Sequence, residues 1–147
     1  FDLIVANPPF WAADEGHLPE DDERRAACHE VLIDLDGWVG VAARLLEPRK
    51  GRLCAVFPVR RIAELLACLR RHDLGVTALL FVHPRVEEQA ELVLVEARRG
   101  VKRPVSIWSP LFLRDDANAE TEVARMIFSG AFSEELAARE DRRPPMA

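Results

Sequence analysis

The sequence predicts an α/β fold in which strands and helices alternate to build a doubly wound sheet. Two nearly continuous apolar runs, at residues 1–6 and 52–57, are typical of parallel strands buried on both faces. A helical pattern of apolar residues follows each run. The last two predicted strands are separated by too few residues for a helix, so they should pair antiparallel. The predicted order is therefore strand, helix, strand, helix, strand, strand.

A long helix is predicted after the first strand. Apolar residues recur at three- and four-residue steps from residue 23 to residue 46, which is the pattern of one helical face. Asp36-Gly37 is a point at which this helix can divide in two. The polar, acidic segment at 11–23 is predicted to be a loop over a site, and the turn at 47–51 ends the helix.

The second half of the chain continues the alternation after Pro58, which closes the strand at 52–57. His83-Pro84 is expected to begin a loop, and the antiparallel strand that follows is expected to mark one edge of the sheet. The remaining predicted elements are a helix at 60–72, strands at 74–82 and 91–96, an extended segment at 104–113 that forms a short edge hairpin, and a short helix at 119–128.

The length of 147 residues fits one domain or part of one. Residues 1–140 are interpreted as the C-terminal part of a single domain, and residues 141–147, which are polar and contain Pro144-Pro145, are expected to fray. The chain opens in mid-strand, with no glycine-rich loop for a phosphate or cofactor ahead of it. We therefore expect the cofactor-binding N-terminal half of the domain to lie outside this chain.

The composition argues against several classes of protein. A net charge of −5 argues against a protein that coats nucleic acid through its overall charge, although it leaves room for a local basic face. No apolar run reaches the ~18 residues of a membrane span. The three cysteines are odd in number and show no C-x-x-C spacing. Neither a disulfide framework nor a metal site is therefore expected, and a cytoplasmic location fits best.

The most informative motif is Asn7-Pro8-Pro9-Phe10, which follows the first predicted strand. In a doubly wound sheet, ligands bind beyond the carboxyl ends of the parallel strands, which is where this motif lies. The two prolines stiffen the turn and remove two N–H donors, leaving the Asn7 side-chain oxygen and the Pro8 carbonyl as fixed acceptors. Two fixed acceptors suit the two hydrogens of an exocyclic amine, and Phe10 offers a flat face on which a planar base or amide can stack.

This arrangement predicts chemistry at the amine nitrogen. Holding both hydrogens pulls the nitrogen towards tetrahedral geometry, so that its lone pair can point at an electrophile. A sulfonium methyl group is the natural electrophile, because its transfer needs positioning more than acid–base help. The alkylated amine loses its proton readily, so a neutral Asn7 suffices where a general base is missing. If the acceptor is a base in RNA, it must first be unstacked or flipped out.

Four further residues are candidates for contacts with the substrate. Trp11 adjoins the motif and is a candidate lining residue of the pocket. Arg24 and Arg25 form one of several basic pairs whose convergence on the motif would make an RNA footprint, with solvated helix ends as the alternative. His29 precedes a glutamate in a helical pattern, where adjacent side chains diverge by about 100°, so solvation of the helix is the alternative to a catalytic pair.

At these residues the chain resembles the S-adenosylmethionine-dependent methyltransferases of the small-domain type, and specifically the tRNA(Val) adenine N6-methyltransferase group. The resemblance implies a Rossmann-like class I methyltransferase sheet, of which this chain supplies strands four to seven with the last strand antiparallel. The segments that carry the resemblance are FDLIVANPPF at 1–10, ACHE at 27–30, ARLLEP at 43–48, RIAEL at 61–65, FVHPR at 81–85 and LVLVEA at 92–97.

The resemblance also implies an activity, namely methylation of the N6 amine of an adenine beside a tRNA anticodon. S-adenosylmethionine would be the methyl donor and tRNA the partner. Asn7 and the Pro8 carbonyl would hold the amine, Phe10 would stack on the base, and Asn7 would also lie near the donor. The isolated chain is not expected to bind the donor, because the glycine-rich loop and the acidic residue that grips its ribose would lie in the missing half.

Three alternatives remain open. Protein glutamine N5-methyltransferases use the same motif on a side-chain amide, usually with tyrosine where this chain has Phe10. Ribosomal RNA guanine N2-methyltransferases use a phenylalanine version of the motif. The third alternative is a non-catalytic fragment that serves as a partner-binding or assembly module, although the exposed strand edges of a half-sheet would invite aggregation.

Overall fold

The computed structural model describes residues 1–8 and 35–130. A short 3-10 turn, Val59–Arg61, joins the second strand to the second helix. The strands and α-helices of the described residues are, in chain order, β1 (Leu3–Ala6), α1 (Leu35–Leu45), β2 (Arg52–Pro58), α2 (Ile62–Arg71), β3 (Leu74–Arg85), β4 (Leu92–Arg99), β5 (Ser106–Ile107), β6 (Leu111–Arg114) and α3 (Glu122–Ser129).

The strands form one mixed sheet in the order β1, β2, β4, β3, β5, with β6 also paired to β3. β1 and β2 are parallel. β4 is antiparallel to both β2 and β3, whereas β5 and β6 run parallel to β3. Because β1, β2 and β3 all run in one direction, they end at the same side of the sheet, which is called the carboxyl edge below.

The hydrophobic core joins one face of the sheet to α1 and α2. Strand residues reach this core at alternate positions, as Val93, Val95 and Ala97 do from β4. Burying one large apolar side chain such as Phe57 stabilises a fold by roughly 1.5–3 kcal/mol, so a cluster of this size holds the two helices on the sheet. The buried members of the cluster are Val39, Ala42, Ala43, Leu46, Leu53, Phe57, Leu65, Cys68, Leu69, Leu74, Leu79, Val93, Val95 and Ala97.

The opposite face of the sheet is apolar and exposed near β1. Ile4 and Ala6 pack against the core, whereas Leu3 and Val5 point the other way, and Val5 is 71% exposed. The prediction that the first strand is buried on both faces is therefore wrong within the described residues. The physical reason is that β1 is the outermost strand on its side of the described sheet, with no described element over its second face.

Most predicted elements are confirmed. The second strand, the helix that follows it and the next two strands are all present, with ends shifted by a few residues. The described part of the predicted helix at 23–46 is α1. Its earlier part, the predicted loop at 11–23 and the tail at 141–147 lie outside the described residues. Among the described residues, no helix is both long and apolar enough to cross a membrane.

Three predictions about the sheet are wrong. The antiparallel strand β4 does not mark an edge, because it lies between β2 and β3. The segment at 104–113 is not a hairpin, because β5 and β6 each pair with β3. His83-Pro84 does not begin a loop, because β3 continues to Arg85. The ladder between β3 and β4 ends at the pair Val82–Leu92, so the missing N–H of Pro84 costs no bond to β4.

Gly75, near the start of β3, allows a close approach of two backbone segments. A Cβ atom added at this position would lie 1.8 Å from the carbonyl oxygen of Val101. Because that neighbour is backbone, it cannot move aside as the tip of a flexible side chain would. Only glycine fits here without a shift of the chain that leaves β4.

We expect Gly75→Ala to lower the free energy of unfolding by about 2–3 kcal/mol, because the added methyl group overpacks against backbone. Gly130→Ala is the matched control. At Gly130, where φ is 75°, an added Cβ meets nothing within 4 Å, so only the left-handed backbone costs energy, about 1 kcal/mol. Urea denaturation followed by circular dichroism measures both losses. Equal losses would contradict the clash with Val101.

Candidate functional site

The carboxyl edge brings together residues that are distant in sequence. Asn7 and Pro8 follow β1, the basic turn Val59–Arg61 follows β2, and Arg85 ends β3. β4 runs the other way, so the segment that enters it also lies at this edge. This segment and the turn are hydrogen-bonded, since the Val59 N–H donates to the carbonyl of Glu91 at 2.9 Å.

Asn7 stands at the end of β1, where the pairing with β2 stops. Ala6 is the last paired residue of β1 and lies opposite Ala55, while β2 continues to Pro58. Asn7 is exposed and Pro8 is half-buried. The buried side of β1 therefore anchors the strand to the core, and the residue that follows it presents an amide side chain at the edge. This is the position that the sequence predicts for the Asn7 acceptor.

The other predicted site residues lie outside the part of the chain that the structure describes. These are Pro9, Phe10, Trp11, Arg24, Arg25 and His29. Their contact with the substrate, and the stacking role of Phe10, stay predictions.

An open cleft of about 590 Å³ lies beside the turn after β2. This cleft was not predicted from the sequence, because its walls come from the end of β2 and from the segment between β3 and β4. Charged side chains of both signs, with one amide, line it together with apolar groups. The lining residues are Pro58, Arg60, Glu88, Gln89, Ala90, Glu91 and Leu92.

Arg61 is held in place at the start of α2. Its Nε and one terminal nitrogen donate to Oε2 of Glu64 at 3.0 and 2.8 Å, and its guanidinium lies 5.6 Å from the centre of the Phe57 ring. These hydrogen bonds lower the pKa of the Glu64 carboxyl below its ordinary value. The Arg61 charge is therefore partly compensated. Arg60 is exposed and lines the cleft.

The end of β3 carries a second polar group. His83 Nδ1 lies 2.8 Å from the carbonyl oxygen of Glu88, and the imidazole ring lies 5.1 Å from the ring of Phe112. Arg85 donates to the side-chain oxygen of Asn118 at 2.8 Å and forms an ion pair of 3.3 Å with Glu88. These contacts hold the loop after β3 in place, so this wall of the cleft has a defined conformation.

Comparisons with known proteins agree with the family resemblance. No family model matches the chain. The chain is 30% identical over 105 residues to a protein from Phocaeicola vulgatus named tRNA1(Val) (adenine(37)-N6)-methyltransferase, a match that covers 71% of this chain and 44% of that relative. Proteins of the same name from Aeromonas hydrophila and Porphyromonas gingivalis are 31% and 34% identical over 103 and 98 residues. The resemblance stated from the sequence is confirmed.

The chain spans less than half the length of these relatives, since the matches cover 44%, 42% and 37% of them. A solved structure from Agrobacterium tumefaciens, described as a predicted O-methyltransferase, shares the fold with a TM-score of 0.63 at 20% identity. That match covers 88% of this chain and 51% of the other. The predicted fold class, a Rossmann-like methyltransferase sheet with an antiparallel strand, is confirmed.

Proposed function

We propose that this chain is part of an S-adenosylmethionine-dependent N-methyltransferase that acts on the exocyclic N6 amine of an adenine in tRNA, namely the anticodon-loop adenine of tRNA-Val. The observation that carries the proposal is the position of Asn7 and Pro8 at the carboxyl end of β1, with the Asn7 side chain exposed. The names of the relatives support this substrate. A tRNA substrate is also compatible with the cytoplasmic location expected from the cysteine content.

Asn7 and Pro8 have separate roles in this proposal. The Asn7 side-chain oxygen accepts one amine hydrogen and the Pro8 carbonyl accepts the other, because neither acceptor is committed to the pairing of β1 with β2, which ends at Ala6. Pro8 restricts the backbone, so little conformational entropy is lost when the amine docks. The oriented nitrogen would take the methyl group as its bond to the donor's sulfur breaks, leaving a neutral thioether. The alkylated nitrogen would then release one proton to water, which requires no strong base.

The methyl donor fits beside Asn7. S-adenosylmethionine, when bound, supplies an electrophilic methyl group on sulfur. The Asn7 side chain is exposed at the carboxyl edge, so the described residues leave room next to it for this group. We propose that residues 1–140 form the C-terminal part of one methyltransferase domain, with Pro9 and Phe10 completing the motif. The rest of the donor site would then come from the cofactor-binding half expected from the sequence.

The basic residues of the carboxyl edge support an RNA acceptor. Phosphate contacts by arginine supply most of the sequence-independent affinity for nucleic acid. Arg60 is exposed at the cleft, and Arg61 lies beside it, paired with Glu64. Acidic residues line the same cleft, so the edge is not uniformly positive. We therefore assign Arg60 the role of an individual phosphate contact.

Asn7→Ala in the intact protein should lower the rate of methyl transfer at least ~100-fold, because loss of orientation acts mainly on the chemical step. Binding of S-adenosylmethionine should largely survive. Transfer of a radiolabelled methyl group measures the first quantity, and calorimetry measures the second. Asn7→Asp, which keeps an acceptor oxygen, should lose less activity than Asn7→Ala. A loss of tenfold or less in Asn7→Ala would show that Asn7 does not orient the amine.

Arg60→Gln should weaken tRNA binding and reduce the slope of log affinity against log salt concentration by about 1, as expected for one lost phosphate contact. Arg49→Gln is the matched control, since Arg49 is also exposed but lies on the turn that precedes β2, at the opposite edge. Filter binding at several salt concentrations measures both. If the two variants behave alike, the effect is one of overall charge and the assignment of Arg60 fails.

The same labelled assay separates the alternatives that the motif leaves open. Labelling of a release factor instead of tRNA would identify the activity as glutamine N5-methylation. Labelling of ribosomal subunits would identify it as guanine N2-methylation. If the intact protein binds S-adenosylmethionine but labels none of these acceptors, the function as a base methyltransferase is wrong.

A further inference from the structure

Three side chains with metal-binding atoms meet between α1 and α2. Asp36 lies in the first turn of α1, Cys68 lies on α2, and His72 follows α2 directly. The Asp36 Oδ1 atom is 3.7 Å from the Cys68 Sγ atom and 3.1 Å from the His72 Nε2 atom, and all three atoms lie within 4.8 Å of one another. His72 precedes β3, so the group lies at the end of the sheet opposite the carboxyl edge.

These spacings suit a tetrahedral zinc-class ion. With a metal–sulfur bond of ~2.3 Å and metal–nitrogen or metal–oxygen bonds of ~2.0–2.1 Å, tetrahedral donor atoms lie about 3.3–3.6 Å apart. The Asp36–His72 and Asp36–Cys68 distances, 3.1 and 3.7 Å, bracket this range. Cys68 and His72 stand four residues apart, which brings both onto one side of the helix end. Their donor atoms lie within 4.8 Å of each other, so a shift of about 1 Å or less would bring the three atoms onto one ion.

The imidazole of His72 is held with its Nε2 atom towards the group. Its Nε2 atom is buried and lies 3.1 Å from Asp36 Oδ1, within ion-pair distance. An ion bound by both atoms would take the place of this direct contact. The ring also packs over Gly40, where an added Cβ atom would lie 3.0 Å from Cε1. Because Gly40 of α1 has no side chain, the His72 ring can take this orientation.

The donor set determines which metal fits. A thiolate, an imidazole and a carboxylate are the ligand types of zinc, whereas magnesium and calcium prefer oxygen alone. Cys68 is fully buried, and its Sγ atom also lies 3.6 Å from the carbonyl oxygen of Leu35. Arg71 is the competing cation, since it donates to Asp36 Oδ1 at 2.9 Å. Its side chain is 61% exposed, so it can swing into solvent when an ion takes its place.

We propose that Asp36, Cys68 and His72 bind one zinc-class divalent ion that ties α1 to α2, with a water molecule as the fourth ligand. The site lies at the other end of the sheet and takes no part in the methyl-transfer chemistry proposed for the carboxyl edge. No metal site was expected from the sequence, because its cysteines show no paired spacing. A cysteine and a histidine at helical spacing, with an aspartate 32 residues before the cysteine, give no such pattern.

Cobalt titration of the intact, metal-free protein tests this proposal without any use of activity. One Co²⁺ per chain should bind and produce a thiolate-to-cobalt absorption band in the near ultraviolet, and Zn²⁺ should displace it. Affinity should rise with pH, because the thiol must lose its proton to bind. The absence of this band at neutral or mildly alkaline pH would overturn the proposal and leave the group as an ion pair completed by Arg71.

Three variants sharpen the test. Cys68→Ser should abolish the band and weaken binding at least ~100-fold, since loss of even an outer-shell partner costs ~10–100-fold. Cys54→Ser, at a half-buried cysteine of β2 outside the group, should keep the band. Arg71→Gln should bind several-fold more tightly, because it removes the competing cation from an exposed position. A band that survives Cys68→Ser, or weaker binding in Arg71→Gln, would overturn the assignment.

Discussion

The described structure depends on the insertion of β4 between β2 and β3. Its eight residues form antiparallel ladders on both sides, with β2 over six positions and with β3 over eight. No other described strand joins the first half of the sheet to the second. The buried residues of β4, at alternate positions, also form the centre of the core under α1 and α2. The direction in which β1, β2 and β3 end, and hence the location of the carboxyl edge, follows from this insertion.

Polar groups stabilise the face of β4 that points away from the core. Glu96 accepts a hydrogen bond of 2.6 Å from Thr77 and lies 3.2 Å from Arg98 and 3.9 Å from Arg52. Burial raises the pKa of the Glu96 carboxyl, but the hydrogen bonds from Thr77 and Arg98 outweigh it and leave the pKa below its ordinary value. The irregularity in β3 between Val76 and Ala78 places the buried Thr77 where it can make this contact. The carboxylate thus stays charged while it spans three strands.

Local patterns in the sequence predicted the elements, and long-range pairing decided their arrangement. The apolar period of 62–69 and the continuous apolar run of 52–57 depend only on neighbouring residues, so α2 and β2 were predictable. The position of β4 was not, because an antiparallel partner can add at an edge or insert between two strands with the same local sequence. β3 is 12 residues long, so both β5 and β6 can pair with it. The sequence of residues 104–113 alone does not indicate this pairing.

The candidate site shows the same difference between features that are local in sequence and features formed by distant elements. The position of Asn7 at the end of β1 was predictable because its strand and its prolines are adjacent in the chain, whereas its role stays a prediction. The cleft and the group of Asp36, Cys68 and His72 are formed by elements that are distant in sequence. Neither of these has a local pattern that a single sequence would reveal, apart from the four-residue spacing of Cys68 and His72.

Prolines give the carboxyl edge its chemical character. Pro8 follows β1, Pro58 ends β2 and Pro84 is the penultimate residue of β3, so each of the three parallel strands that lead to this edge has a proline at or near its end. Each proline lacks an N–H, so these positions contribute carbonyl acceptors without matching donors. Backbone acceptors without donors at these three positions support the proposed docking of an exocyclic amine, which brings hydrogens to donate. In that proposal the residues that end the ladders also determine the kind of group that docks beyond them.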